Sequence, residues 1–325
     1  MSSVVSLLAL AVPATTPLLL ACLGEMVAER AGVLNLGIEG LMAIGALAAI
    51  IVVILTGNLW AGAAVAMVVA AGLSILFGFL TLTLKSDQIV SGVMIALFGI
   101  AFANFYGDAW SGQTVDGFSQ TTLPLIGEYL RAIPVLGEVV FYMTPIDYAA
   151  VSLVPVMWYL FFRTGIGLKI TAVGNNAKAA DTEGIDPIKV RYLCVLFSGA
   201  LAGLGGAALS LGFTGFWSSN LVDNRGWVAI ALVIVARWDP LKALVGAYGF
   251  GVIYSLQFGL QGVSEESLPL SEYFANAYSV LLDPVIISTY PFVVTILVLI
   301  AFSIGTRTEL IQPKEIGKMY FKEGE

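Results

Sequence analysis

The sequence predicts an all-α protein, a polytopic integral membrane bundle of about 8–10 transmembrane helices, and three observations carry that expectation. Only 11% of the residues are charged while 58% are hydrophobic, and mean hydropathy is +0.93; a soluble domain carries about 25% charged residues. Apolar runs recur at about 4–24, 36–56, 60–84, 88–106, 146–162, 191–213, 226–236, 241–260 and 284–304. Several reach the roughly 18–20 residues that a helix needs to cross about 30 Å of hydrocarbon. The third observation is charge asymmetry. Lys and Arg concentrate in Arg163 to Arg191 and in a tail holding Arg307, Lys314, Lys318 and Lys322. With both placed in the cytoplasm, Arg30, Lys85, Arg237 and Lys242 also fall inside. Only Arg131 and Arg225 fall outside, where the loops at 107–145 and 261–283 are acidic. The pattern implies roughly nine spans with the N-terminus outside, in one transmembrane domain over residues 1–325.

The first span, "MSSVVSLLALAVPATTPLLLACL", lacks the basic start and cleavage site of a secretory signal and is expected to stay in the protein. It leads into "GEMVAERAGVLNLGIEGLMAIGA", Gly24 to Ala46, whose polar groups are unusual for so apolar a chain. Glu25 and Glu29 are four residues apart, as are Asn35 and Glu39, so on a helix each pair shares a face. Glu25, Glu29 and Arg30 are expected at a cytoplasmic turn where Glu29 and Arg30 are solvated. Asn35 and Glu39 begin a helix with no further charge. A carboxylate there must face protein or water, so the pair either hydrogen-bonds a neighbouring helix or lines the cavity or gate.

Three further features follow along the chain. Asn104 lies in an apolar helix, and Tyr254, Gln257 and Gln261 share a helical stripe beside Phe258. Amides with rings suit a polar solute with an aromatic part, and they equally suit hydrogen bonds between helices. The run 226–236 is too short for a straight crossing and reads as a half-helix lying against protein. Gly199 and Gly203 form a GxxxG of the kind that packs helices.

The longest polar stretch runs from Arg163 to Tyr192. Asp186-Pro187 is a turn or helix-start signal, and a short helix is expected around 176–182, ended near Gly184.

Other chemistry is absent from the sequence. Without histidine there is no histidine acid–base set or metal ligand. Cys22 and Cys194 sit in apolar segments without metal-ligand spacing. The net charge of −7 gives no clustered positive charge for nucleic acid. No GxxxxGK[ST] occurs, so ATP and magnesium would have to be bound by a separate chain and no metal or cofactor by this one.

Taken in order, ERAGVLNLGIEG, SDQIVSG at 86–92, GLKITAVGNNAKAADTEGI at 167–185, RYLCVLFSGALAGLGGAALSLG at 191–212, RGWVAIALVIVARWDPLKAL at 225–244 and GKMY at 317–320 cover nearly the whole chain. Together they resemble the permease subunits of ABC importers for branched-chain amino acids, sugars and nucleosides, most of all the shorter permease of nucleoside importers. The resemblance implies a transport subunit in the cell membrane with no enzymatic activity of its own. It implies three kinds of partner besides membrane lipid and excludes nucleic acid: a second related permease, ABC ATPase subunits, and an extracytoplasmic solute-binding lipoprotein of the basic membrane protein type. It makes 163–191 a cytoplasmic coupling loop and 305–325 a cytoplasmic tail. Gly174, Ala179, Ala180 and Gly184 then couple to the ATPase, because Ala179-Ala180 and Gly184 match the AA-three-residues-G core of that motif. Lys178 stands where the common form is acidic, and Ala96 stands where many relatives carry asparagine. Nucleosides are the expected solute, with a pentose-type sugar as the alternative. A more distant alternative is an ion-coupled secondary transporter, which calls for ionisable groups in mid-span and often for two similar halves.

Overall fold

The computed structural model describes residues 3–122, 141–261 and 312–321 and single helical positions between 286 and 300, with side chains from residue 11 and not over 256–261. Ten α-helices are described: α1 Ser3–Arg30, α2 Ile38–Thr56, α3 Leu59–Gly78, α4 Gln88–Gly107, α5 Pro145–Arg163, α6 Gly165–Asn175, α7 Ala177–Thr182, α8 Pro187–Ala207, α9 Arg225–Val235 and α10 Pro240–Gln261. Two-residue strands β1 (Thr121–Thr122) and β2 (Tyr142–Met143) pair antiparallel. Among the described residues six helical stretches are long and apolar enough to span a membrane: Ala11–Arg30, Ile38–Thr56, Leu59–Thr83, Gln88–Trp110, Pro145–Arg163 and Pro187–Thr214. The protein is thus a helical, multi-pass membrane protein. The run 284–304 apart from those single positions, the loop residues 123–140 and 262–283 with Arg131, Arg307, and the side chains of Gln257 and Gln261 lie outside the described residues.

Local sequence sets the helix ends. Asn58, Asp87, Asn176 and Asp186 each accept backbone N–H groups as N-caps, which satisfies donors that a helix start leaves open. Thr144 and Asp147 close a reciprocal capping box at α5, with Pro145 in the first turn. The Asp186-Pro187 signal therefore does start a helix. Slight burial pushes the Asp186 carboxyl upward. The Lys189 and Ile188 amides and the Lys189 ammonium outweigh it and hold the carboxyl below its usual range. Short π-helical turns at Phe79–Thr83 and Ala208–Thr214 extend α3 and α8.

Helix α1 runs through the centre of the bundle, packed on α8, α9 and α10, and its span is 94% buried. Helix α8 packs on α1, α2 and α3. Its Gly199 and Gly203 face α3, where a Cβ would sit 2.2 Å from Ser74 Oγ and 2.3 Å from the Ala66 carbonyl oxygen. The GxxxG is therefore a close helix contact. Helices α3 and α4 instead leave apolar side chains such as Val68, Leu97 and Phe105 exposed, as a lipid-facing surface requires.

The residues that the charge rule assigns to the cytoplasm converge at one end. Arg30, Arg163 and Lys314 line one cavity, Lys85 lies 4.8 Å from the Phe321 ring, and Arg191 donates to the Ala31 and Lys318 carbonyls. The opposite end carries a bridge between Thr114 and Phe216 and the ring contact of Trp60 with Phe118. Arg225 departs from its expected external position. It opens α9 inside the bundle, 5% exposed, with Nη1 donating to the Val222 carbonyl.

Candidate functional site

The polar stretch after α1 finds its purpose in α9. This helix has 11 residues, about 16 Å at 1.5 Å per residue, roughly half the hydrocarbon thickness. The chain reaches it from the end opposite the charged one through residues 215–224, where Asn220, Asp223 and Asn224 adopt left-handed backbone at φ 59°, 51° and 64°. Asn and Asp tolerate that conformation better than other non-glycine residues, which accounts for part of the segment's polar composition. The half-helix expected at 226–236 is thus present at Arg225–Val235.

A helix starting inside a bundle has N–H groups that need acceptors from the surrounding protein. Glu39 supplies the acceptors: Asn224 N–H donates to Oε1 at 2.8 Å and Gly226 N–H to Oε2 at 2.6 Å. The carboxylate also sits at the positive end of the helix dipole. Its level is set by Gly40, which packs on Ile95, Ala96 and Gly99 at the middle of α4. Ala96 is therefore buried backbone packing one residue from Glu39.

The C-terminal end of α9 is held as firmly. Arg237 and Trp238 are left-handed at φ 53° and 55°, and their N–H groups close the last turn onto Ile234 and Val233. The Trp238 indole N–H donates to Glu29 Oε2 at 2.6 Å, and Arg30 Nε and Nη2 donate to the Trp238 carbonyl at 3.0 and 2.7 Å. Glu25 accepts from the Asn35 N–H at 2.8 Å and from the Ser198 hydroxyl at 3.3 Å.

The expectation of a solvated turn is corrected here. Glu25, Glu29 and Arg30 are 0%, 1% and 8% exposed, because α1 remains helical through Arg30 with α9 and α10 packed around it. Asn35 and Glu39 also do not share a helical face. Asn35 lies in the non-helical link before α2, with its Oδ1 accepting from the Gly37 N–H at 2.9 Å.

Four candidate pathway residues can be placed by their side chains. Glu39 and Asn104 line one cavity of about 250 Å³, with Trp217, Asn220, Asp223 and Asn224. Asn104 is bound on both polar atoms. It donates to Asn220 Oδ1 at 2.8 Å and accepts from the Asn220 N–H at 2.9 Å. Tyr254 is buried, with the Arg225 guanidinium 4.9 Å from its ring centre. It joins the Glu39 group through Arg225, while Asn35 stands apart with Glu25 and Gln88. Sequence reading missed Asn220, Asp223, Asn224 and Arg225. The only available signal was their crowding just before the short apolar run. Asn104→Leu removes two exposed hydrogen bonds to Asn220 and is expected to cost no more than about 0.5–1.5 kcal/mol, read as a small drop in unfolding temperature in detergent together with weaker uptake.

At the charged end, α7 spans Ala177–Thr182 with Asn176 as its cap, and Gly184 follows at φ 81°. The short helix expected around 176–182 is therefore present. Unexpectedly, the preceding residues form a further helix, α6. Gly174 near its end lies so close to α1 that a Cβ would be 2.0 Å from the Arg30 carbonyl oxygen. The tail segment 312–321 braces this region. Glu315 N–H donates to the Gly174 carbonyl, and the Tyr320 hydroxyl donates to Asp181 Oδ2, each at 2.9 Å.

Residues 7–300 match the family described as "Branched-chain amino acid transport system / permease component". The chain is 42% identical to the Haloferax volcanii protein named "Putative glucose ABC transporter permease protein TsgC13", over 99% of both chains. It is 33% identical to the guanosine ABC transporter permease NupQ of Bacillus subtilis, over 98% of both. It is 30% identical to the nucleoside ABC transporter permease NupC of Lactococcus lactis, over 95% of this chain and 94% of that one. In each of these organisms a second permease, also named for glucose, guanosine or nucleosides, aligns over 259, 204 or 122 residues respectively. No solved structure matches. With its spanning helices, its half-helix and a family match over most of its length, the chain belongs to the branched-chain amino acid transport system permease family and is a membrane-spanning ABC transporter permease of the cell membrane.

Proposed function

We propose that this permease imports a small solute bearing a sugar ring, with a hexose such as glucose as the first reading. The observation that carries this is the cavity beneath the outer end, where Glu39, Asn104, Asn220, Asp223 and Asn224 stand together around about 250 Å³. Carboxylates and amides are the groups that hydroxyls pair with. The volume lies at or below the small end of ligand pockets, about 300–1,000 Å³, and its one aromatic neighbour, Trp217, is 1% exposed and offers little ring to stack on. The similarity to a glucose permease points the same way. Nucleosides are the second reading, supported by the guanosine and nucleoside permeases at 33% and 30% identity.

On this reading α7, with Ala179, Ala180 and Gly184, docks on an ABC ATPase chain, and Gly174 and the tail hold it against α1. ATP and magnesium are bound on that partner. A second related permease completes the pathway, in keeping with the paired permeases of the three organisms, and an extracytoplasmic lipoprotein delivers solute to the outer end. On this reading the contact of Glu39 with α9 at half height has to be broken and re-formed as the pathway opens from side to side. Alternating access needs an element with two states, biased from both sides.

The test is purification of the assembly from its native membrane, followed by ATP hydrolysis assays with the binding protein and individual solutes. Stimulation by glucose and not by nucleosides is expected. Stimulation by nucleosides alone replaces the first reading with the second, and absence of any ATPase chain overturns the coupling assignment.

A further inference from the structure

A second cavity, of about 720 Å³, opens at the charged end between the ends of α1 and α5, the start of α6 and the tail, and its lining includes Arg30, Phe161, Phe162, Arg163, Trp238 and Lys314. Among the described residues none that line it is acidic; Asp239, in a neighbouring cavity, is close enough to attract the Arg30 guanidinium. Arg30 is fixed in place. Its guanidinium lies 4.4 and 4.7 Å from the Phe161 and Phe162 ring centres, and Nε and Nη2 are both bonded to the Trp238 carbonyl. Among the described residues nothing accepts from its Nη1. Arg163 and Lys314 are exposed at the rim.

The position of the cavity narrows the choice of ligand. Helix α5 ends its membrane span at Arg163 and α6 begins at Gly165, so the mouth lies at the boundary between hydrocarbon and water. Phe162 and Leu168 in its wall are 47% and 70% exposed, and Tyr159 and Ile166 beside it are also exposed. A free anion would leave this apolar wall uncovered, whereas an acyl chain would cover it. Clustered cations on the cytoplasmic side also attract anionic headgroups.

We propose that this cavity binds one anionic phospholipid of the inner leaflet. The phosphate meets Arg30, Arg163 and Lys314, and an acyl chain lies along Phe162 and Leu168. The lipid thereby adds a link from the tail to the ends of α1 and α5, which already meet through Arg30, Phe161 and Phe162.

The experiment uses the purified full-length chain and an Arg163→Gln/Lys314→Gln variant, whose substitutions are both exposed and leave Arg30 untouched. Each is placed in phosphatidylcholine nanodiscs with or without phosphatidylglycerol, then examined by native mass spectrometry and thermal unfolding. Wild type is expected to retain a phosphatidylglycerol and unfold at a higher temperature with it, and the variant to bind it about tenfold or more weakly. Inorganic phosphate added to phosphatidylcholine nanodiscs is expected to have no effect. Equal retention by wild type and variant overturns the proposal. So does a phosphate effect equal to that of the lipid, which makes the cavity a free-anion site. Undiminished lipid binding with loss of a co-purifying ATPase chain from the variant also overturns it, in favour of protein docking.

Discussion

Glu39→Leu is expected to abolish uptake and to lower the unfolding temperature sharply, because it strands the Asn224 and Gly226 N–H groups at the start of α9. The Gly226 N–H is buried, and a buried unsatisfied donor costs about 1–3 kcal/mol; the Asn224 N–H is only partly buried, beside the cavity that Glu39 lines, and adds less. A cost of about 1–3 kcal/mol is a substantial part of the roughly 5–15 kcal/mol that holds a domain together. Glu39→Gln keeps one acceptor oxygen and should lose about half as much. Unfolding in mild detergent should therefore rank Glu above Gln above Leu. A Leu variant as stable and active as wild type would remove the cap from the account. A Gln variant of near-normal stability without uptake would show that the carboxylate serves the pathway as well as the fold.

Gly184→Val and Gly174→Leu should fail in different ways. Nothing lies within 4 Å of a Cβ at Gly184, so the cost comes from the left-handed backbone, about 1–2 kcal/mol for an L-residue, and falls on the end of α7. The protein should reach the membrane normally while solute uptake drops about tenfold or more and the ATPase hydrolyses ATP without moving solute, if α7 docks as proposed. Uptake at the wild-type rate would refute that role. A side chain at Gly174 meets the Arg30 carbonyl, and α6 must leave α1 and the tail strand at Glu315 with it. Overpacking of this kind costs about 1–3 kcal/mol or more, so low abundance in the membrane is the expected result.

These variants also separate the two kinds of sequence signal. Gly184 was legible because the end of a short helix is a local event: Asn176, Ala177–Thr182 and a left-handed glycine lie within nine residues. The helix start at Asp186 was legible for the same reason, and the spans follow from length and hydropathy. Helix α6 was missed because its GIGLKITAVGN sequence, with three glycines, has weak intrinsic helix preference. Contact with α1, α5 and α8 overrides it.

The polar stretch around α1 and α2 shows the other limit. The sequence by itself determined that Glu25, Glu29, Arg30, Asn35 and Glu39 are too many polar groups for a plain membrane crossing, and that 226–236 is too short to make one. That these are two halves of one device was decided only by tertiary structure. Glu39 meets Asn224 and Gly226 across 185 and 187 positions of chain, and Glu29 meets Trp238 across 209. Whether a carboxylate is solvated, buried or capping a helix depends on what packs against it, and periodicity reaches only a few turns along the chain. The shared burial of α1, α2 and α9 brings the acceptors to the broken helix, and no local pattern records that meeting.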